Sequence, residues 1–293
     1  MRLIDSKVEL LPQPAGLEGV YKQIEIAGRT CYKSEDRITA DSAKEFADRM
    51  IKNGHTAMLE HGTVYLKVHA DVEKVDFDAI WELANNKFTK TNYETDSEYN
   101  YITTNLRVLV ENDWLRDLKK YICEPTEFHE KRITARFTCD RGVSHELVRH
   151  RVFSFAQEST RFCNYSKDKF GNELTFIIPS WLELNPGEYS LGRDDHGNRF
   201  IEGDGYYYDL SDGLAEEPAF LYNLLQAEKG YFTMLDLGWK PQQARQVLPN
   251  ALKTEVVMTG FASDWEHFFE LRCAPNAHPD MQVLAKQLQG KLK

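Results

Sequence analysis

Arg149, His150 and Arg151 stand in a row, and Ser159, Thr160 and Arg161 follow within the same short run, R-H-R-V-F-S-F-A-Q-E-S-T-R. A guanidinium is a planar fork of donors that matches phosphate or carboxylate and stays charged at any physiological pH. So dense a basic stretch, in a chain of formal net charge −10, points to a local anion site. A nucleic-acid surface would show a wider basic field. Spacing alone leaves a second reading open. The cations could sit at the negative end of a helix dipole, or belong to structural ion pairs.

Other residues have the right chemistry at scattered positions. Arg245 and Arg272 flank helix ends or turns. Guanidiniums converging on one phosphate would each contribute about 1.5–3 kcal/mol through charge-assisted hydrogen bonds. His55 and Glu60 flank a tight turn and suit a polar ligand or structural partners alike. His267 lies near a helix start, where free backbone N–H groups favour an anion, or else faces solvent.

Several chemistries are excluded. Neither G-x-G-x-x-G nor G-x-x-x-x-G-K-[ST] occurs. His145 and His150 are five residues apart, which turns them ~140° from one another on a helix, so no metal site is expected. The cysteines at 31, 123, 139, 163 and 273 include no C-x-x-C pair and read as buried, unreactive thiols. Ser159 has no neighbouring base in sequence to make it a nucleophile.

The elements that must position these groups follow from periodicity. The chain has 293 residues, is 42% hydrophobic and shows no internal repeat, so it can bury a large core. Its acidic balance, 46 Asp+Glu against 36 Lys+Arg, argues against general affinity for nucleic acid or anionic membrane. No stretch reaches the ~20 apolar residues of a membrane span, and the start lacks the apolar core of a signal peptide. Scattered cysteines fit a reduced, cytoplasmic setting.

Helical spacing runs from Leu17 to Gly28, which is placed to end that helix, and from a capping box at Ser42–Glu45 through Ile51. Alternation predicts strands at Val64–Ala70, near 101–110, at Ile133–Thr138, Leu174–Ile178 and Thr254–Thr259. Residues 76–86 and Trp114–Ile122 read as helical. Asp140 can cap a helix through Leu147 that delivers Arg149 near its end. Residues 183–214, rich in Gly, Asp and Tyr, read as an irregular insertion or lid. Phe220–Leu235 forms a long helix ending at Gly238, and Pro241 opens a short one through Arg245. A second capping box, Ser263–Glu266, starts a helix through Arg272, and Met281–Leu288 gives the last. Without a βαβ rhythm the fold class is α+β, a mixed or antiparallel sheet flanked by helices. One domain is expected over 1–293, with insertions at about 72–130 and 183–235.

R-H-R followed after seven residues by Ser159 resembles the signature of the flavin-dependent thymidylate synthases. Further blocks resemble that family in order: His55 to His61, Ala244-Arg245-Gln246-Val247-Leu248-Pro249, and Thr259-Gly260 leading to His267-Phe268-Phe269-Glu270-Leu271-Arg272. The resemblance covers residues 20–70, 133–180 and 240–290. It implies an α+β homotetramer with active sites shared between subunits. The implied reaction converts dUMP to dTMP, with 5,10-methylenetetrahydrofolate as carbon donor, FAD as hydride carrier and NADPH as reductant.

Carried over by position, Arg149, His150 and Arg151 would contact FAD, with His55, Glu60 and His267 on the flavin side. Ser159, Thr160, Arg161 and Arg245 would hold the nucleotide, chiefly its phosphate, and Arg149 would lie near dUMP. Glu146 and Glu158 fall on the dUMP side and Gln157 between the two ligands. Arg272 matches the arginine proposed to favour ionisation of the uracil ring. An always-charged arginine can polarise that ring in a water-poor site without a thiolate. The chain departs from the pattern at Ala156-Gln157, where Asn-Glu is usual, at Glu146, where Gln is common, and at Phe261 and Ser263, where flavin-binding Asn and Arg are expected. Two other classes remain: a phosphate-handling hydrolase, which would want R-H-G after an N-terminal strand, and a nucleotide-binding regulator without catalysis.

Overall fold

A computed structural model describes residues 1–71, 74–93, 98–167, 170–211, 213 and 215–293. Parts of the two expected insertions, at 72–73, 94–97, 212 and 214, lie outside the described residues. In chain order, β1 (Arg2–Ile4) and β2 (Lys7–Leu10) precede α1 (Gly16–Tyr32) and α2 (Ser42–Lys52). Then come β3 (Thr63–His69), α3 (Lys74–Ala84), β4 (Lys90–Tyr93), β5 (Tyr99–Asn105), α4 (Leu106–Glu111) and α5 (Leu115–Leu118). The basic stretch lies between β6 (Arg132–Asp140) with α6 (Arg141–Leu147) and β7 (Ser154–Gln157). The remainder is β8 (Thr175–Ile177), β9 (Gly187–Arg193), β10 (Arg199–Gly203), β11 (Tyr206–Asp209), α7 (Glu216–Asp236), α8 (Pro241–Ala244), β12 (Lys253–Phe261), α9 (Ala262–Arg272) and α10 (Pro279–Leu292).

The α+β class holds, but the strands form three sheets among the described residues. Their orders are β11-β10-β9-β1-β8, β2-β6-β12-β7 and β3-β5-β4. Only the β1–β8 pair is parallel among these; Leu3 pairs with Phe176. The central sheet organises the candidate site. β12 pairs with β6 along its whole length, from Lys253 opposite Asp140 to Phe261 opposite Arg132, and with β7 on its other side. Alternate residues of β6 and β12, including Phe137, Val256 and Met258, bury against Trp265 and Phe268 of α9 and Leu284 and Leu288 of α10. A second core joins Ile24 of α1, Phe46 of α2 and Leu66 of β3, and a third packs α7 on the five-stranded sheet through Leu221 and Tyr231.

Several expectations need correction. α1 does not stop at Gly28 but runs on to Tyr32, where Lys33 takes the left-handed conformation at φ 46°. Gly28 is instead a packing residue, because a Cβ there would collide with the Phe46 ring of α2. Neither expected capping box forms. Ser42 Oγ donates to Glu25 Oε2 at 2.8 Å, and Ser263 Oγ accepts from Lys90 Nζ. The strand near 101–110 ends at Asn105, whose side chain accepts from Val108 N at 3.2 Å and opens α4. Trp114–Ile122 is only briefly α-helical, at Leu115–Leu118, before a 3-10 turn at Lys119–Tyr121. Residues 187–209 are not irregular: β9, β10 and β11 form an antiparallel meander on β1. β1, β2 and β7 have no counterpart in the periodicity reading.

Candidate active site

α6 is capped as expected, with Asp140 Oδ1 accepting from Val143 N at 2.8 Å. It ends at Leu147, so R-H-R occupies the turn before β7. α9 brings Arg272 to the same place from the far end of the chain. Arg272 Nε donates to His150 Nε2 at 2.8 Å, Nη1 to Glu146 Oε2 at 2.5 Å and Nη2 to the Glu146 carbonyl at 3.1 Å. His150 Nε2 must therefore accept, which assigns its proton to Nδ1. Burial, then the charge of Arg272 and His267, lowers the imidazole to about 4, so it is neutral at pH 7. Its ring meets Phe268 edge-on, with centroids 5.0 Å apart. Arg149 and Arg151 are exposed and make no ion pair among the described residues.

Arg151 and Glu60 line one cavity of about 490 Å³, together with Lys90, Asn105, Arg132 and Phe261. Gly260 beside it has no room for a Cβ, which would strike the Phe153 ring. Glu60 pairs with Arg107 at 2.5 Å. Arg132 Nη1 donates to the Glu60 carbonyl at 2.9 Å, while its Nε is buried with no hydrogen-bond partner. Burial lowers this guanidinium to about 10. Lys90 Nζ and the Arg132 guanidinium both lie over the Phe261 ring, 4.7 and 5.5 Å from its centroid.

The block from His55 to His61 divides. His55 is exposed, whereas His61 is fully buried, with Nδ1 2.8 Å from Thr259 Oγ1 and Nε2 in no well-formed hydrogen bond. Burial, then the charge of Arg132, lowers His61 to about 3 despite an opposing contribution from the Phe155 backbone.

A separate cavity of about 300 Å³ gathers Thr160, Arg245, Arg141, Gln246 and Asn250. Arg245 Nη1 donates to Thr160 Oγ1 at 3.1 Å. Arg161 is exposed nearby, its Nε donating to Gln242 Oε1 at 3.3 Å. Ser159 Oγ accepts from Arg161 N at 3.3 Å, and no base bonds it among the described residues. Gln157 donates to Ser144 Oγ at 3.0 Å and Thr254 Oγ1 at 3.2 Å, bridging α6 and β12.

Glu158 and His267 each have a partner within the protein. Glu158 is buried, accepting from Lys253 Nζ at 2.9 Å and Tyr165 OH at 3.2 Å. Lys253 also holds Glu255 at 2.6 Å, and Lys33 holds it at 3.0 Å. Burial would raise the Glu255 carboxyl, but these two lysines outweigh it and hold it at about 2. His267 is exposed beside Glu270 at 3.3 Å. Burial pushes the Cys31 thiol up to about 11 and those of Cys123, Cys139 and Cys273 upward, so none of the four is a thiolate at pH 7.

Sequence reasoning passes over Arg132, Lys90 and Arg141, which line these cavities, and His61, which is buried against Thr259. A lone arginine at a strand or helix start looks like surface charge. Only His61 falls within a block that carried a recognisable pattern.

A profile of the family described as "Thymidylate synthase complementing protein" matches residues 79–293. A Corynebacterium efficiens protein named flavin-dependent thymidylate synthase is 35% identical over 160 residues, which cover 52% of this chain and 54% of that protein. The match thus spans about half the length of that relative. A Corynebacterium glutamicum protein of the same name is 23% identical over 282 residues, 94% of this chain and 77% of the relative. Among solved structures, the UMP/dUMP methylase PolB from Streptomyces cacaoi bound with 5-Br dUMP is 17% identical. Its alignment covers 100% of this chain and 92% of that one at a TM-score of 0.42, a likeness too distant to bear on the site.

Proposed function

The chain belongs to the thymidylate synthase complementing protein family, and from that premise we propose that it is a flavin-dependent thymidylate synthase. It would convert dUMP to dTMP, with 5,10-methylenetetrahydrofolate as carbon donor and NADPH as reductant of FAD. The observation that carries this reading is the contact of Arg272 with both His150 and Glu146, which unites the two blocks richest in family pattern.

Arg272 is the group suited to the pyrimidine. Glu146 and the neutral His150 fix its fork in one orientation, and its side chain keeps 18% exposure, enough to meet a ligand. A fixed cation near the uracil ring stabilises negative charge there without reorganising at the moment of reaction. Raised thiols make the competing route, addition of a cysteine to the ring, a poor fit to this chain. Thr160 and Arg245 suit the nucleotide phosphate, with Arg161 and Ser159 beside them.

The cavity of Glu60, Arg132 and Arg151 fits part of a large anionic aromatic cofactor. A buried guanidinium nitrogen without a partner supports an anion there, and Lys90, held over the Phe261 ring, adds a second cation to the lining. FAD, when bound, supplies the hydride that no side chain can. His55 and His267, both exposed, remain contacts proposed from the resemblance, as do Arg149, Gln157 and Glu158. We read residues 1–293 as one catalytic domain with insertions at about 72–130 and 183–235. The protein would work as a cytoplasmic homotetramer, with no nucleic-acid or membrane partner. No described helix is long and apolar enough to cross a membrane.

The test is direct. Purified protein should carry flavin absorbance that NADPH bleaches, and should form dTMP from dUMP and methylenetetrahydrofolate. A colourless protein that cannot be reconstituted with FAD would overturn the reading in favour of a nucleotide-binding regulator or hydrolase.

A further inference from the structure

Ser159, Thr160 and Arg161 lie in a turn that belongs to no strand or helix. β7 leaves β12 at Gln157, opposite Val256, and the next residue is tied to that strand by the bond from Glu158 N to the Glu255 carbonyl at 2.8 Å. Beyond it a buried ion pair anchors the chain. Glu158, 3% exposed, accepts from Lys253 Nζ at 2.9 Å through one carboxylate oxygen and from Tyr165 OH at 3.2 Å through the other. Residues 158 and 165 bracket the turn, so this carboxylate closes it across its base, and the lysine fixes the closure to the start of β12. Ser159 N adds a bond at 3.0 Å to the Cys31 carbonyl in the last turn of α1. On the outer side Thr160 meets Arg245 at 3.1 Å and Arg161 meets Gln242 at 3.3 Å.

Resting on the uridylate reading above, we propose that Lys253 and Tyr165 are positioning residues: acting through Glu158, they hold the 159–161 turn where its side chains meet the nucleotide, without touching the nucleotide themselves. A buried ion pair is a poor source of stability, since apolar side chains of the same size often serve as well, but its hydrogen bonds specify one geometry. Location supports an indirect role. Lys253, Glu158 and Tyr165 line a cavity of about 340 Å³, which among the described residues shares none with the cavity of Thr160 and Arg245. Lys253 also holds Glu255, but Glu255 keeps Lys33 when Lys253 is replaced, so such a change falls chiefly on Glu158.

The experiment titrates FAD into flavin-free protein and dUMP into FAD-saturated protein by calorimetry, and measures KM and kcat for dUMP. Lys253→Met should weaken dUMP binding about tenfold and raise its KM to match, with FAD affinity and kcat at saturating dUMP within about twofold of wild type. Lys253→Arg, which can still donate to Glu158, should recover most of the loss. Tyr165→Phe, which removes one hydroxyl from the closure, should show a smaller loss of the same kind. A merely structural pair would lower Tm and leave the dUMP affinity of the folded protein unchanged; that result overturns the proposal, as does an equal loss of FAD affinity. If Lys253→Met does not fold, Tyr165→Phe decides: a several-fold loss confined to dUMP supports the role, and wild-type affinity overturns it. A wild-type protein that binds no dUMP overturns the uridylate reading itself. Wild-type dUMP binding that all three variants retain overturns only this inference.

Discussion

Arg272 and His150 lie 122 residues apart, yet Arg272 Nε donates to His150 Nε2 at 2.8 Å. The bond requires a neutral imidazole, and burial supplies one by lowering His150 to about 4. The same arginine grips Glu146 through its carboxylate and its carbonyl. One guanidinium is thus held at three points, by an imidazole, a carboxylate and a carbonyl. That is how a binding group is kept in place before its ligand arrives.

Removing this cation should stop the reaction without emptying the cofactor site. Arg272→Ala is expected to lower dTMP formation by on the order of a hundredfold to a thousandfold, the effect of deleting one charge-stabilising donor. Flavin absorbance should stay with the purified variant, since the Glu60, Arg132 and Arg151 cavity is lined by other residues. Turnover near the wild-type rate, or loss of the flavin, would count against the role.

The cluster was only half legible in the sequence, for a physical reason. Strands with one buried face announce themselves: Val64, Leu66 and Val68 alternate in β3, and Ala135 and Phe137 in β6. β9, β10 and β11 do not, because Gly and Asp punctuate them and tyrosines stand on the exposed as well as the packed face. Tyr206 and Tyr208 stack on one another with centroids 5.7 Å apart. β1 and β2 are too short for alternation to register. In the site, density of charge made R-H-R visible. Arg132 and Arg141 carry the same group singly, and nothing local separates them from a solvated arginine. Glu158 has a partner that no local pattern announces, Lys253 of β12, 95 residues away in the chain.

Arg132 offers a test that does not depend on turnover. Its Nε is orphaned and its charge is buried, a combination that weakens the free protein and is relieved by an anionic ligand. Arg132→Met loses the bond to the Glu60 carbonyl but also removes the buried charge. The flavin-free variant should therefore melt close to wild type. The rise in Tm produced by saturating FAD should shrink, because less binding energy is linked to the folded state. Thermal unfolding with and without FAD measures both quantities. An undiminished FAD-induced shift would show that Arg132 is structural only.

His61 makes a prediction about acid. Its folded-state pKa, about 3, lies below the ordinary value of 6.5, so the folded protein binds this proton less readily than the unfolded chain does. For a base depressed in this way, the stabilisation is fully present above pH 6.5 and is lost as pH falls towards 3. Between pH 8 and pH 5 the difference amounts to about 2 kcal/mol from this group alone. His150, lowered to about 4, adds a loss of the same sign, and protonation of Glu255 follows only at lower pH. His61→Gln can keep a polar contact with Thr259 but cannot take up the proton. Its stability should consequently fall by about 2 kcal/mol less than wild type over that interval, as read by urea unfolding at the two pH values. Parallel pH dependences in the two proteins would mean that His61 is already solvated, and that the dry contact with Thr259 does not form.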